Sequence, residues 1–202
     1  LMVLEGSPEL VLPNIVDRFS IDRVTTSYTP GWYETQAIAF LEQKLPATLS
    51  VFRGSSLFDA EQFPFEMEDL PDTFSPFRRK VEKINIGSPM AAPSTLPPPP
   101  SAQFDAIPKA AASPHPGLPL PGGSAAGLRR LDQFLFHTHA IADYKQTRNA
   151  LDGLSGSSTL SPWLATGALS VRTVPHAIFR YERQHVANDS TYWLYFELLW
   201  RE

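Results

Sequence analysis

The run Ser157-Ser158-Thr159-Leu160-Ser161-Pro162-Trp163 concentrates hydroxyls ahead of a proline-led turn. Ser161 suits an N-cap and Pro162 the first helical position, so the spacing predicts a helix start here. Trp163 to Thr166 then supplies about one turn, Gly167 a left-handed C-terminal cap, and Ser170 a cap for the next helix. Hydroxyls and unpaired backbone N–H groups at a helix start favour an anion, and a phosphate or diphosphate is the natural guest. The alternative is a Ser-rich loop whose hydroxyls only cap two helices.

A second set lies in Glu197-Leu198-Leu199-Trp200-Arg201-Glu202. Glu197 and Trp200 are three apart, hence neighbours on one helix face. On that face the indole offers a flat stacking surface next to a carboxylate. The alternative is a core Trp200, with Glu197 paired to Arg201 at i, i+4. Upstream stand Tyr144 and Thr147-Arg148-Asn149. His137 and His139 are two apart and face different sides of a helix, which is poor metal geometry. No metal site is expected.

Taken together, these segments resemble the photolyase/cryptochrome family. The run from Ser157 to Ser170 is similar to its flavin-diphosphate loop. Tyr144 with Thr147-Arg148-Asn149, and Glu197 to Glu202, stand at that family's offsets. The phrase Val186-Ala187-Asn188-Asp189-Ser190-Thr191-Tyr192-Trp193, with Trp163 after Pro162, resembles the cryptochrome DASH branch in particular. The resemblance implies FAD held by Tyr144, Ser157, Ser158, Thr159, Leu160, Ser161, Glu197 and Arg201. It implies Glu197 and Trp200 as catalytic residues, and Trp200 and Arg201 as DNA contacts. Thr159 departs from the basic residue that relatives often place there. The implied reaction is light-driven electron transfer to cyclobutane pyrimidine dimers, mainly in single-stranded DNA, by a deoxyribodipyrimidine photolyase-type carbon–carbon lyase. A folate antenna (methenyltetrahydrofolate) on an α/β domain is a further implication, with Glu34 near it. A non-repairing light-signalling cryptochrome that binds FAD and nucleic acid, and a helical interaction module that has lost flavin, stay open.

The elements that must position these residues follow from composition and periodicity. Hydrophobic content of 43% and aromatic content of 11% are globular values, sufficient for a core. The absence of cysteine excludes disulfides, thiolate metal sites and a cysteine nucleophile, and fits a reducing, intracellular compartment, with nucleus or organelle open. A net charge of −4 gives no overall basic field, so DNA contact requires a local patch. No apolar run reaches the roughly 18 residues needed to cross a bilayer. A monomer is expected. Both ends fall inside predicted elements, so the chain reads as a fragment.

The fold class expected is α/β plus all-α. Residues 1–87 read as the C-terminal part of a parallel α/β domain. Its strands are expected at Leu1–Leu4, Ile21–Thr26 and Thr48–Phe52, with a helix capped at Ser7-Pro8-Glu9, whose stripe of Leu10, Ile15 and Phe19 is interrupted or shortened at Pro13, and another from Tyr33 to Lys44. Ala37, Ile38 and Leu41 face inward. Thr73–Glu82 is a short helix whose Arg78-Arg79-Lys80 forms a solvated face or a phosphate contact. Residues 88–121 hold eleven of the twenty prolines, including Pro97 to Pro100, and so read as an interdomain linker. Residues 122–202 begin an all-helical FAD-binding domain. Its helices are capped by Ser124, with Leu128, Leu131 and Leu135 inward; run from Pro175 to His185, with Ile178 and Tyr181 buried; and are capped at Asn188-Asp189-Ser190, with a stripe of Tyr192, Phe196, Leu199 and Trp200.

Overall fold

The computed structural model describes residues 3–98, 120–150 and 155–202. Most of the expected linker, and the expected strand residues Leu1 and Met2, lie outside the described residues. Its contacts divide the chain into two units, Leu1–Gly54 with Ala91–Leu118, and Ser55–Met90 with Pro119–Glu202.

The first unit is a βαβ element preceded by a helix. Helix α1 spans Pro8–Phe19 and strand β1 Arg23–Ser27; helix α2, Trp32–Lys44, connects to strand β2, Thr48–Phe52. The strands pair in parallel, in register from Arg23↔Thr48 to Ser27↔Phe52. A parallel pair needs a long crossover, and α2 supplies it. Val3 and Leu4 are exposed and belong to no strand, so the sheet among the described residues has two strands, not three. Pro13 sits inside α1 without interrupting it; its ring costs one backbone bond there, not the helix. The inward stripe of α1 is also shifted. Leu10 is 72% exposed while Val16 is buried, and Leu12, four residues before Val16, lines a cleft of about 250 Å³. That cleft is closed by Ala37, Ile38 and Leu41 of α2, with Glu34 at its edge.

The second unit is helical and gathers most of the buried apolar side chains. It contains helices α3 Phe74–Val81, α4 Ser124–Asp132, α5 Tyr144–Thr147, α6 Ser161–Ala165, α7 Thr173–Gln184 and α8 Asp189–Arg201. Ser55–Met90 belongs to this unit and not to the α/β part, so the division falls at Gly54 where residue 87 was expected. The cause is aromatic and electrostatic. Phe58, Phe77, Val81 and Ile86 enter the helical core, and Arg172 donates to the Ser56 carbonyl at 3.1 Å and to Asp59 at 2.7 Å. Of the basic triplet, Arg78 donates to the Tyr192 hydroxyl at 2.9 Å and pairs with Glu82 at 3.3 Å. Lys80 lies over the Phe65 ring.

Helix starts differ from several expectations. Gly123, at φ 88°, is the N-cap of α4, and Ser124 is already helical. Ser170 gives its carbonyl, not its hydroxyl, to Thr173, and α7 begins at Thr173. Asn188 caps as expected, accepting from Ser190 and Thr191 at 2.9 and 3.0 Å in a reciprocal capping box. In α4, Leu131 is buried and Leu128 is 48% exposed; a π-turn at Gln133–His137 then turns both Phe134 and Leu135 inward. The buried stripe of α8 is Thr191, Leu194, Tyr195, Leu198 and Leu199, which rotates Trp200 out of the core to 58% exposure.

The Tyr195 hydroxyl donates to the Glu82 carbonyl at 3.2 Å, and burial, before nearby Tyr192 and Glu82, pushes its pKa up to about 12. A raised phenol pKa stabilises the fold while the group is neutral, so this contribution is complete below pH about 10 and lost as pH rises toward 12. Denaturant unfolding across that window is expected to show a fall in stability that Tyr195→Phe makes shallower. An unchanged slope in the variant would remove Tyr195 as its source.

Candidate functional site

Tyr144 is the residue around which the expected site assembles. It opens α5, whose backbone is tied to the start of α8. The Lys145 N–H donates to Ser190 Oγ at 3.2 Å, Asn188 Nδ2 to the Ala142 carbonyl at 3.0 Å, and Lys145 Nζ to Asp189 at 2.9 Å. The Tyr144 ring is buried, edge-on to Phe134 at 5.8 Å. Ser158 stands close to its hydroxyl. Burial first, and Glu197 second, raise its pKa, with Arg148 and Ser158 opposing them.

Glu197 faces α5 from α8. Its Oε1 accepts from Arg148 Nη1 at 2.6 Å and from Trp193 Nε1 at 3.0 Å. Lys145 and Arg148 also lie over the Trp193 ring, at 4.9 and 5.2 Å from its centroid. The i, i+4 pairing with Arg201 is therefore not formed. Arg201 instead donates to the Ser55 carbonyl and approaches Glu202 at 3.8 Å. Trp200 is stacked on Phe74, centroids 3.8 Å apart and planes 11° from parallel. Glu197 thus joins the Tyr144 group, whereas Trp200 and Arg201 make contacts toward residues 55–74.

The hydroxyl loop is held from α4. Arg130 donates through Nε to the Ser158 carbonyl at 3.0 Å and to Thr159 Oγ1 at 2.8 Å, and through Nη2 to the Ser157 carbonyl at 2.7 Å. Thr159 is left-handed at φ 53°. The chain approaches α5 closely here: Thr147 Oγ1 donates to the Gly156 carbonyl at 2.9 Å, and a Cβ on Gly156 would stand 2.9 Å from the Thr147 carbonyl oxygen. The N-cap of α6 is Leu160, not Ser161; its carbonyl receives Trp163 and Leu164 N–H at 3.1 Å each. Leu160 is drawn into the core, 2% exposed, and so already carries helical backbone, leaving Ser161 exposed within the first turn. The short helix ends as expected, with Gly167 at φ 70°. Beneath the loop, buried Trp163 donates to the Pro121 carbonyl at 3.1 Å and packs on Gly127.

Chemically, the arrangement offers hydroxyl donors at Tyr144, Ser157 and Ser158, a guanidinium behind them, and a carboxylate–guanidinium pair beside the half-buried Trp193 indole. Such a donor set fits a diphosphate and the polar edge of a flanking ring system. His137 pairs with Asp132 at 2.9 Å, His139 with the Tyr181 hydroxyl at 3.2 Å, and no metal-ligand cluster occurs among the described residues. A larger cleft of about 660 Å³ between α4 and α7, lined by Arg129, His176, Arg180 and Arg183, contains none of the expected site residues. Arg130, Arg148 and Trp193 were not assigned roles from sequence. Arg130 sits beside Arg129 on α4, and it is the burial of Ala126, Gly127 and Leu131 on the same helix that turns it partly inward.

The family model for DNA photolyase matches residues 1–100. Over the whole chain, 36% of residues are identical to cryptochrome DASH of Idiomarina loihiensis, of which the chain covers 45%, and 37% to that of Synechocystis sp., of which it covers 44%. The chain superposes on the Synechocystis cryptochrome crystal structure with a TM-score of 0.88, at 37% identity and 100% coverage of this chain and 44% of that one. This chain belongs to the photolyase/cryptochrome family. A class III photolyase from Agrobacterium tumefaciens, at 21% identity and a TM-score of 0.70 over 97% of this chain and 42% of that one, shares the fold. The chain spans less than half the length of the cryptochromes it matches. Within this photolyase/cryptochrome chain, no helix among the described residues is long and apolar enough to cross a membrane.

Proposed function

We propose that the protein carrying this chain binds FAD and repairs cyclobutane pyrimidine dimers, mainly in single-stranded DNA, as a cryptochrome DASH-type photolyase. The observation that supports this reading is the meeting at Tyr144 of segments that are distant in sequence: Ser158 from the hydroxyl loop, and Arg148 and Glu197 from α5 and α8. FAD, when bound, supplies light-driven one-electron chemistry that opens the cyclobutane ring and recovers the electron.

The chain's own residues bind and orient. Tyr144, Ser157, Ser158, Thr159, Leu160 and Ser161 hold the diphosphate side through hydroxyl and backbone donors. Glu197 and Arg148 present fixed, opposite charges beside the flipped bases, where developing charge is stabilised most by groups already in place. Trp200, one face on Phe74 and otherwise exposed, gives a plane for stacking. Arg201 serves the cofactor or DNA backbone. The protein acts as a monomer, and Glu34 at the mouth of the α/β cleft contacts a folate antenna.

The test is an absorption spectrum of the full-length protein, with the pigment released and identified. About one FAD per chain is expected for a formed pocket; none would overturn the reading. Dimer repair should then proceed faster on single-stranded than duplex DNA, and flavin without repair would assign the light-signalling alternative. Trp200→Ala is expected to weaken dimer binding by about 1–3 kcal/mol, the worth of base–aromatic stacking. Unchanged binding in a filter or anisotropy assay would remove Trp200 from the interface.

A further inference from the structure

We propose that Arg130 is a positioning residue for the anion-binding face of the hydroxyl loop, fixing Ser157, Ser158 and Thr159 so that the backbone N–H groups of Ser158 and Thr159 turn outward to the ligand. The inference rests on the flavin reading above and specifies how this chain holds the diphosphate.

The geometry comes from the planar trans peptide, whose C=O and N–H point in opposite directions. Arg130 draws the Ser157 and Ser158 carbonyls to itself at 2.7 and 3.0 Å. The N–H groups of the same two peptide units, those of Ser158 and Thr159, are therefore turned away from the guanidinium; that of Thr159 makes only a long, 3.5 Å bond to Ser157 Oγ, which a ligand oxygen would displace. Thr159 is left-handed at φ 53° and Leu160 right-handed at φ −81°, ψ −13°. Alternating hands in successive residues bring consecutive N–H groups into a concave nest, which binds anions.

A left-handed Thr is strained, because its Cβ crowds the following carbonyl. Arg130 Nε holds that conformation by its 2.8 Å bond to Thr159 Oγ1. Three acceptors on one rigid fork explain why the residue is Arg: the single ammonium of Lys has neither the planarity nor the reach to hold all of them. The guanidinium also puts a positive charge behind a loop whose own sequence, from Gly156 to Trp163, has none.

The experiment is FAD titration of the full-length apoprotein, by flavin fluorescence quenching, for wild type, Arg130→Lys, Arg130→Met and the neighbouring control Arg129→Met. Riboflavin, which lacks the diphosphate, is the second probe, and amide hydrogen exchange of residues 155–161 is followed without ligand. Both Arg130 variants are expected to bind FAD about tenfold or more weakly, the scale of lost charge-assisted hydrogen bonds. Riboflavin binding and the Arg129→Met control should be unchanged, and loop amides should exchange faster in both Arg130 variants. Wild-type FAD affinity in both variants, full rescue by Lys, or loop exchange identical to wild type would overturn the inference while leaving the flavin reading in place. No FAD binding by the wild type would overturn both. If Arg130→Met does not fold, Arg130→Lys decides alone.

Discussion

Glu197→Gln is expected to reduce dimer repair on the order of 100-fold, the scale of losing one preorganised charged group at a reacting centre. The amide keeps the size of the side chain and an oxygen acceptor for Arg148 and Trp193, so packing is preserved and only charge is removed. The side chains of Arg148 and Glu197 are 29% and 31% exposed, and a partly solvated pair contributes about 1 kcal/mol or less to stability. Activity and stability should therefore separate, with a large loss of repair rate and a small shift of the thermal midpoint. Arg148→Met leaves the carboxylate without its counter-charge and should also lower repair. A double-mutant cycle measures how far the two residues act as one unit. A loss of repair that only tracked a loss of folded protein would make Glu197 structural and sink its proposed role.

The second large effect is in the core. Trp163 is 3% exposed, bonded to the Pro121 carbonyl at 3.1 Å, and in contact with the place where a Cβ on Gly127 would be, 2.9 Å from its Cγ. Trp163→Ala should lower stability by about 3–5 kcal/mol, since it opens a large cavity in the core. Gly127→Val tests the same interface from the other side by overpacking, at about 1–3 kcal/mol. Because Trp163 lies in α6, directly after the hydroxyl loop, both changes should also raise exchange at loop amides. Chemical denaturation with wild-type stability in Trp163→Ala would contradict the packing described for α4 and α6.

Much of the site was legible because its chemistry is local. Ser157 to Ser161 and Glu197 with Trp200 can be picked out as candidates by residue type and spacing, whereas Tyr144 stands out only through the resemblance to one family. The Asn188 cap and the left-handed Gly167 were legible for the same reason, since a cap and a C-terminal turn are settled within a few residues. Where a cap competed with core burial, the sequence misled. Leu160 begins α6 in place of Ser161 because its side chain is buried, and Ser124 lies inside α4 because Gly123 takes the turn. In the α8 stripe Leu199 is buried as expected, but Tyr192, Phe196 and Trp200 lie one residue off the buried face, since Trp and Phe look like core until the neighbours are known.

The sequence by itself therefore determined the family, the α/β and helical classes of the fold, and the parallel βαβ element. Only the tertiary structure decided that residues 55–90 join the helical unit, that Glu197 pairs with Arg148 across 49 positions and not with Arg201 four away, and that Arg130 holds the loop. The physical reason is common to all three. A guanidinium or an aromatic ring takes whichever partner the packed helices bring within about 3–4 Å, and that choice is made by contacts between segments, which no local spacing records.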